Sequence, residues 1–513
     1  MMSVDKLRGS KHINRISPSD IGLLMSAQSY RPEITQAIRK IKSLNWSTLQ
    51  KLVENTISPG PHPKYGGCYP CLKTKNVDGL LATHEPADYA DVTIFKDINK
   101  VVVQKGDLLI NLTGAGSIGR VSVYYGENNP ITNQHIARMS VKTGTDEGYL
   151  VCFLRSWWGE RALEQGVAGS TGQINMVNEH VRSIPVYLPD ILAQKYIGDK
   201  VRQAELLRAW AKNCRGKIQD YFDGLFSGIS LEKPEHHHTK VSLDILVPRL
   251  NAEYYSDYYI QVEKGLIGRF GKLTTLGRLA PTVRTKMKPS TDCIYKEIGD
   301  LDVGKGAFGS GTFYQYGEAP NNAQRIFDEG DVAVSTRRPN RGAIAVIEES
   351  SNTTFYSVFL ARLKPKDRNF GYWLKEFLRH DAGKLLLLQR CTWTTYPVIS
   401  EDDIETIPVP AIPDHWDSVA RLSRKSVELE VVATNLAASA KTLVEALIEG
   451  QLTEQQLLQT QQALEDGDNS LDRAILSKLS AEGYAIEGAT PLFSDMDELY
   501  RLLASAAQTE TEE

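Results

Sequence analysis

Cysteine is scarce: six in 513 residues, at Cys68, Cys71, Cys152, Cys214, Cys293 and Cys391. Their scatter excludes a disulfide-dense secreted scaffold. The one C-x-x-C, Cys68–Cys71, has no second pair or H-x-H at a zinc-site spacing, so reduced thiols are expected rather than a metal. Uninterrupted apolar runs are short of the roughly 20 residues that span a bilayer, so no membrane segment is expected. The opening MMSVDKLRGSKHINRISPSD has no apolar core behind its basic residues, which argues against a secretory signal and for a cytoplasmic protein. With 41% hydrophobic and 24% charged residues, the composition is that of a folded chain long enough for two to four domains.

Catalytic signatures are also scarce. There is no G-x-x-x-x-G-K-[ST], no nucleophile elbow, no Asn/Asp-Pro-Pro-aromatic methyltransferase signature and no acidic cluster with a lysine of the nuclease kind. Gly114-Ala115-Gly116-Ser117-Ile118-Gly119 matches G-x-G-x-x-G, but Arg120–Tyr125 behind it reads as a strand. Without a helix N-terminus there is no phosphate cradle, so a glycine-rich hairpin loop is predicted. Three adjacent histidines, His236-His237-His238, do not converge on one ion and read as solvated linker. Glu401-Asp402-Asp403 reads as a turn. Catalysis by this chain alone is not expected.

What is present is internal repetition. Gly106-Asp107-Leu108-Leu109-Ile110 falls on Gly330-Asp331-Val332-Ala333-Val334 at a shift of 224, and Ile136–Met139 on Leu360–Leu363 at the same shift. Leu49 and Leu52 fall on Leu273 and Leu276, also at 224. Tyr149-Leu150 meets Tyr372-Trp373, and Ile184-Pro185-Val186 meets Ile407-Pro408-Val409, both at 223. The expectation is two similar domains. In each, strands (101–103, 107–112 and 120–125; then 331–335 and 343–348) lead to one helix, 147–164 or 370–388. A Pro-flanked strand and a long helix, 191–226 or 415–449, follow.

Both long helices carry a 4-3 seam. Ile197, Val201, Ala204, Arg208, Ala211, Arg215, Ile218, Phe222 and Leu225 include seven apolar residues. Val419, Leu422, Ser426, Leu429, Ala433, Leu436, Ala440, Leu443 and Leu447 include eight. Such seams are expected to pair as a coiled coil within the chain, as a rod of roughly 50 Å. Net charge is −4, but residues 451–513 carry −10, leaving +6 on the first 450. That balance permits nucleic-acid binding through local patches.

Three segments suit such patches. The loop after the Gly-Asp strand offers Asn111, Thr113 and Ser117 in the first copy and Arg337, Arg338, Asn340 and Arg341 in the second. Arginine reads guanine and asparagine reads adenine by paired hydrogen bonds. Lys64, Lys73, Lys75 and Asn76, and in the second copy Arg284, Lys286 and Lys288, suit phosphates. Before the exit strand, Gln173 lies in the first copy and Thr394 and Tyr396 in the second. A solvated basic turn is the plain alternative for the arginines.

The succession Gly-Asp-strand, glycine or arginine loop, Asn133-Gln134-His135-Ile136, Tyr-Leu helix, Ile-Pro-hydrophobic-Pro and long helix resembles the specificity subunit of type I restriction-modification systems, over about residues 45–450. The resemblance implies an α+β chain of two α/β target recognition domains joined by two long antiparallel helices, pseudo-twofold. It divides the chain into an N-terminal extension (1–44), first recognition domain (45–190), first spacer helix (191–227), linker (228–240), second recognition domain (241–413), second spacer helix (414–450) and a small, acidic, helical C-terminal extension (451–513). It also implies a non-catalytic reader of bipartite double-stranded DNA. Two methyltransferase subunits and a restriction/translocase subunit would be its partners in phage defence, and S-adenosylmethionine and ATP would belong to them rather than to this chain. Pro413-Asp414-His415-Trp416 departs from the family pattern, where the first copy has Ala193-Gln194. The acidic extension is expected to dock a partner, to occupy a basic groove, or to be a solvated tail. A recognition module of another defence assembly and a protein-binding scaffold are the competing readings.

Overall fold

A computed structural model describes residues 16–18, 21–93, 95, 98, 101–114, 116–168, 175–231, 240, 242, 251–393, 395–410 and 415–512. Gln173, His236–His238, Thr394 and Pro413-Asp414 lie outside these. The chain forms two compact units, Met1–Arg208 with Val432–Glu513, and Ala209–Val431. The long helices Ile191–Leu225 and Trp416–Glu449 each begin in one unit and end in the other.

In the first unit, helix Pro32–Lys42 precedes strand Trp46–Thr48, which pairs antiparallel with Pro185–Tyr187. A three-stranded antiparallel sheet has Leu108–Asn111 between Val121–Val123 and Ile136–Met139. All four residues of the central strand are buried, as expected where both faces are covered. A mixed sheet sets Lys64–Leu72 antiparallel to Asp88–Asp91 and parallel to Ile131–Thr132.

The second unit repeats these registers. Val332–Ser335 lies between Ile344–Val346 and Leu360–Leu363, so that Leu108↔Met139 recurs as Val332↔Leu363. Cys71↔Ile131, a parallel pairing, recurs as Tyr295↔Phe355. The Gly-Asp motif has one job in both units. Asp107 Oδ2 accepts from the Gln104 N–H (2.8 Å) and Arg138 Nη1 (3.1 Å). Asp331 Oδ2 accepts from the Asp328 N–H (2.8 Å) and Arg362 Nε (2.5 Å). A buried carboxylate closes the turn and is neutralised by an arginine from the neighbouring strand, as a buried charge requires.

Four expectations change. The opening strands match at 227, not 224: the Leu49 N–H donates to Ile184 O (2.9 Å) as the Leu276 N–H does to Ile407 O (2.8 Å). Leu49 therefore corresponds to Leu276 rather than Leu273. The repeat also begins before residue 45, because Pro32–Lys42 packs against its exit strand and second short helix as Asp257–Phe270 does in the other unit. The helix expected over 147–164 is two, Glu147–Arg155 and Trp157–Glu164, and that over 370–388 is Arg368–Arg379 and Asp381–Gln389. Ser156 and His380 adopt extended backbone and cap the helix that follows. Gly159 and Gly383 sit where a Cβ would strike the carbonyl oxygens of Phe153 and Phe377. Finally, 101–103 is no strand; Val102 makes a single bridge to Ile131.

One described helix, Trp416–Glu449, is long and apolar enough by composition to cross a membrane. Charged residues interrupt its apolar stretch, and Glu445 accepts from the Trp157 N–H (2.7 Å), so its surface is used in packing. In the second unit the two long helices touch directly: Arg215 pairs with Glu430 (2.8 Å) and Lys425 lies over the Trp210 ring. Ile218, Phe222 and Leu225 share a core there with Val419, Trp373 and Phe377.

The acidic extension is not a solvated tail. Helices Glu454–Glu465, Ser470–Leu476 and Met496–Glu512 belong to the first unit. Asp472 receives Lys200 Nζ (2.8 Å), Tyr196 Oη (2.7 Å) and Tyr500 Oη. Lys200 and Asp472 are 1% and 2% exposed. Glu454 takes Tyr187 Oη (2.6 Å) and the Asp190 N–H (3.1 Å), and Lys195 pairs with Glu465 (2.5 Å).

Candidate nucleic-acid interface

In the second unit the arginine loop turns at a strained residue. Arg338 sits at φ 49°, ψ 53°, left-handed and uncommon for a residue with a Cβ. The following Pro339 disfavours right-handed helix at Arg338, and Gly342 at φ 74° closes the turn. The Arg338 N–H donates to Pro397 O (2.9 Å) and the Ile399 N–H to Thr336 O (3.1 Å). The arginine loop and the segment before the exit strand, separate in sequence, are thus laced together. The Arg338 guanidinium lies over the Tyr396 ring (5.1 Å) and that of Arg337 over Phe359 (4.7 Å). Each such contact is worth about 0.5–1 kcal/mol when exposed and holds the fork in a fixed plane.

The face continues. Val358, beside Phe359, donates its N–H to Asn322 O, and the Met287 N–H donates to Gln324 O. Lys286, Met287 and Lys288 are exposed there. Arg341 is exposed and lines a cleft of about 190 Å³ with Arg215, Arg379, Lys384, His380 and Glu376. Asn340 turns inward; its Oδ1 is buried without a hydrogen bond among the described residues. Arg284 is engaged by Asp402 and lies 3.6 Å from Glu401, so its charge is compensated. Those two residues belong to Glu401-Asp402-Asp403, which opens the short helix Glu401–Glu405 rather than forming a turn.

In the first unit the loop Gly114–Gly119 joins strands and opens no helix; Met176 donates its N–H to Leu112 O (2.8 Å) and Thr113 bridges to Asn175. These contacts match those between Thr336 and Ile399 and between Arg337 and Val398. The side chains differ. Thr113 Oγ1 bonds His135 Nδ1 (2.7 Å), and Gln134 Nε2 lies 3.1 Å from His135 Nε2. Ser117 is half-buried and Asn175 exposed.

A predicted base reader, Asn111, and a predicted phosphate contact, Asn76, are spent internally. Asn111 is fully buried, its Nδ2 donating to Thr74 O and Val77 O. Asn76 is buried, donating to Thr83 O and Glu85 O and accepting from the Lys73 N–H. Lys73 pairs with Asp88 (2.5 Å) above the Tyr65 ring, which raises its pKa; Lys75 is exposed. The segment 73–76 corresponds to 297–300, where Asp300 accepts from the Glu297 N–H as Asn76 does from Lys73. It therefore does not correspond to the Arg284–Lys288 segment with which the charges had grouped it. Sequence alone did not single out His135, Gln134 or Phe359 as lining the loop; the signal was the position of His135 and Phe359, each 22 residues after Thr113 or Arg337, on the strand that returns to it.

Cys71 is buried, its thiol pushed up to about 11 by desolvation, while Cys68 is exposed. Among the described residues no three His, Cys, Asp or Glu side chains are grouped as metal ligands.

No protein-family model matches the chain, and no curated protein does. Solved structures do. The S subunit of a type I restriction-modification system from M. genitalium is 14% identical, with 82% of this chain and 96% of that chain covered, at a TM-score of 0.38. The HsdS subunit of Thermoanaerobacter tengcongensis is 15% identical, covering 84% and 96%, at 0.24. A chain from a study of complex assembly and conformational transition in the type I R-M system is 15% identical, covering 81% and 97%, at 0.26. Likeness at this level fixes neither activity nor partners; those have to be argued from the residues of this chain.

Proposed function

We propose that this chain is a non-catalytic, two-headed DNA-binding protein. More particularly, it is the specificity subunit of a cytoplasmic type I restriction-modification complex. The single observation that carries this is the tip of the second unit, where Arg338 lies over Tyr396 and Arg337 over Phe359, with Arg341 exposed on the same loop. Planar guanidinium forks steadied on aromatic rings suit guanine edges, and Lys286 and Lys288 suit phosphates. The matched hydrogen bonds of the first unit support a second reader there, with Thr113 and Ser117 at its tip and Lys73 and Lys75 beside it.

In this reading the two long helices run antiparallel as a spacer. A helix of 34 residues is about 50 Å long, which sets half-sites one to one and a half turns apart. Methyl transfer with S-adenosylmethionine and ATP-driven restriction fall to two methyltransferase subunits and a translocase bound to this chain. The test is a duplex-binding titration of the full chain over a salt series. Replacing Arg337, Arg338 and Arg341 together with Ala is expected to weaken binding and, where a phosphate contact is lost, to reduce the salt slope by roughly 0.9 per contact. Unchanged affinity favours a protein-binding scaffold. Sequence-selective binding without methylation or restriction by the chain's neighbours favours another defence assembly.

A further inference from the structure

The two loop tips share a backbone and differ in chemistry. Thr113 and Arg337 occupy the same register position, each bridged to the segment before the exit strand, at Asn175 and Val398. Each is backed by the residue 22 positions on: His135 bonds the Thr113 hydroxyl, and the Phe359 ring supports the Arg337 guanidinium. The neighbours follow suit. The first unit bridges Thr113 to Asn175, an exposed residue, with no cation on the loop between Asn111 and Gly119. The second sets Arg338 over Tyr396 beside Arg337.

An exposed asparagine amide offers one donor and one acceptor, which is the complement of adenine N7 and N6 in the major groove. A guanidinium offers two parallel donors, the complement of guanine O6 and N7. The backing residues suit these roles. A hydroxyl held by an imidazole is a fixed, neutral hydrogen-bonding group, whereas a flat apolar ring holds a cationic fork without competing for its donors.

We propose that the paired positions Thr113/His135 and Arg337/Phe359 set base identity, so that the first unit, through Asn175 and Thr113, reads adenine and the second reads guanine. This rests on the DNA-reading assignment above and names its chemistry.

The experiment selects bound sequences from a duplex pool randomised in both half-sites, using the full chain. The wild type is expected to enrich adenine in one half and guanine in the other, each by about 5- to 150-fold over the wrong base. Arg337→Lys keeps the charge and loses the fork, so it should lose the guanine preference. Asn175→Ala should lose only the adenine preference. Thr113→Arg with His135→Phe should bring guanine into the first half. The proposal is overturned if Arg337→Lys and Asn175→Ala leave base preferences intact, or if the double variant adds no guanine preference. A wild type that enriches no sequence overturns the DNA-reading assignment itself, and this proposal with it.

Discussion

Asp107 and Asp331 do the same thing in the two units; Thr113 and Arg337 do not. The first pair is buried, closes a turn and takes an arginine from the adjacent strand in both units. The second pair sits at the same register, half-buried, on a threonine–imidazole contact in one unit and a guanidinium–phenyl contact in the other. Internal hydrogen bonds constrain a residue through every partner that would be left unsatisfied, at about 1–3 kcal/mol each. A tip residue meets fewer such constraints, here one contact with the residue 22 positions on, and is freer to diverge. The contrast separates scaffold from reader without reference to any other protein. Among the described residues the acidic extension is docked on the first unit alone.

The largest expected effect breaks that last asymmetry. Asp472→Ala leaves the buried Lys200 ammonium and two tyrosine hydroxyls without their acceptor. The cost is about 3–5 kcal/mol, confined to the first unit. Hydrogen exchange should show protection lost across residues 454–508 and the first turns of helix Ile191–Leu225, with the second unit unchanged. Replacing the pair together, Lys200→Met with Asp472→Leu, should recover most of the loss. Equal loss in both units would mean that the extension supports the whole chain.

The next effect should be the same on both sides. Gly159→Ala and Gly383→Ala each place a methyl against a carbonyl of the preceding helix. Overpacking of this kind costs about 1–3 kcal/mol. Matched losses in a denaturant titration would sharpen the claim that the scaffold is one design used twice; a loss at only one glycine would break it.

A smaller effect belongs to the second unit's tip. Arg338 holds a left-handed backbone that glycine adopts freely. Arg338→Gly removes that strain and also the stack on Tyr396, so stability should stay within about 1 kcal/mol of wild type. DNA binding, measured by titration at fixed salt, should fall. A variant that loses stability but keeps DNA affinity would make Arg338 a structural residue instead.

Legibility in the chain divides along the same line. The long helices show in the 4-3 seam, because a continuous apolar stripe needs a neighbour to cover it; Ile218, Phe222 and Val419 are buried as that pattern requires. The duplication shows because Gly106-Asp107 and Gly330-Asp331 each precede a buried central strand. Asn111 and Asn76 mislead because an amide that caps a turn and one that reads a base have the same composition; only their partners, tens of residues away or behind a turn, tell them apart. The docking of the extension is hidden for a similar reason: Lys200 and Asp472 are 272 residues apart. The break at Ser156 escapes because apolar periodicity runs through it, while the cap that creates it is one hydroxyl on the Gly159 N–H.

The smallest expected effect concerns how each unit holds its long helix in acid. Burial alone would raise the Glu376 carboxyl, but Lys375, Arg379 and the Ser423 hydroxyl hold it below its ordinary value of 4.5. Burial raises the Asp146 carboxyl above 3.8 despite its pairing with Arg202. A lowered acid contributes stability that is complete above pH 4.5 and is lost as pH falls through the folded value. A raised acid does the reverse: its folded form takes up the proton first, so its contribution rises as pH falls through the folded value toward 3.8. Acidification below 4.5 should therefore loosen the Ser423 end of the second helix while favouring the Arg202 end of the first, as read from hydrogen-exchange protection factors for each. Glu376→Gln should flatten the response of the second unit alone and Asp146→Asn that of the first alone. The opposite order of loosening would mean that groups other than these two carboxyls govern how the helices are anchored.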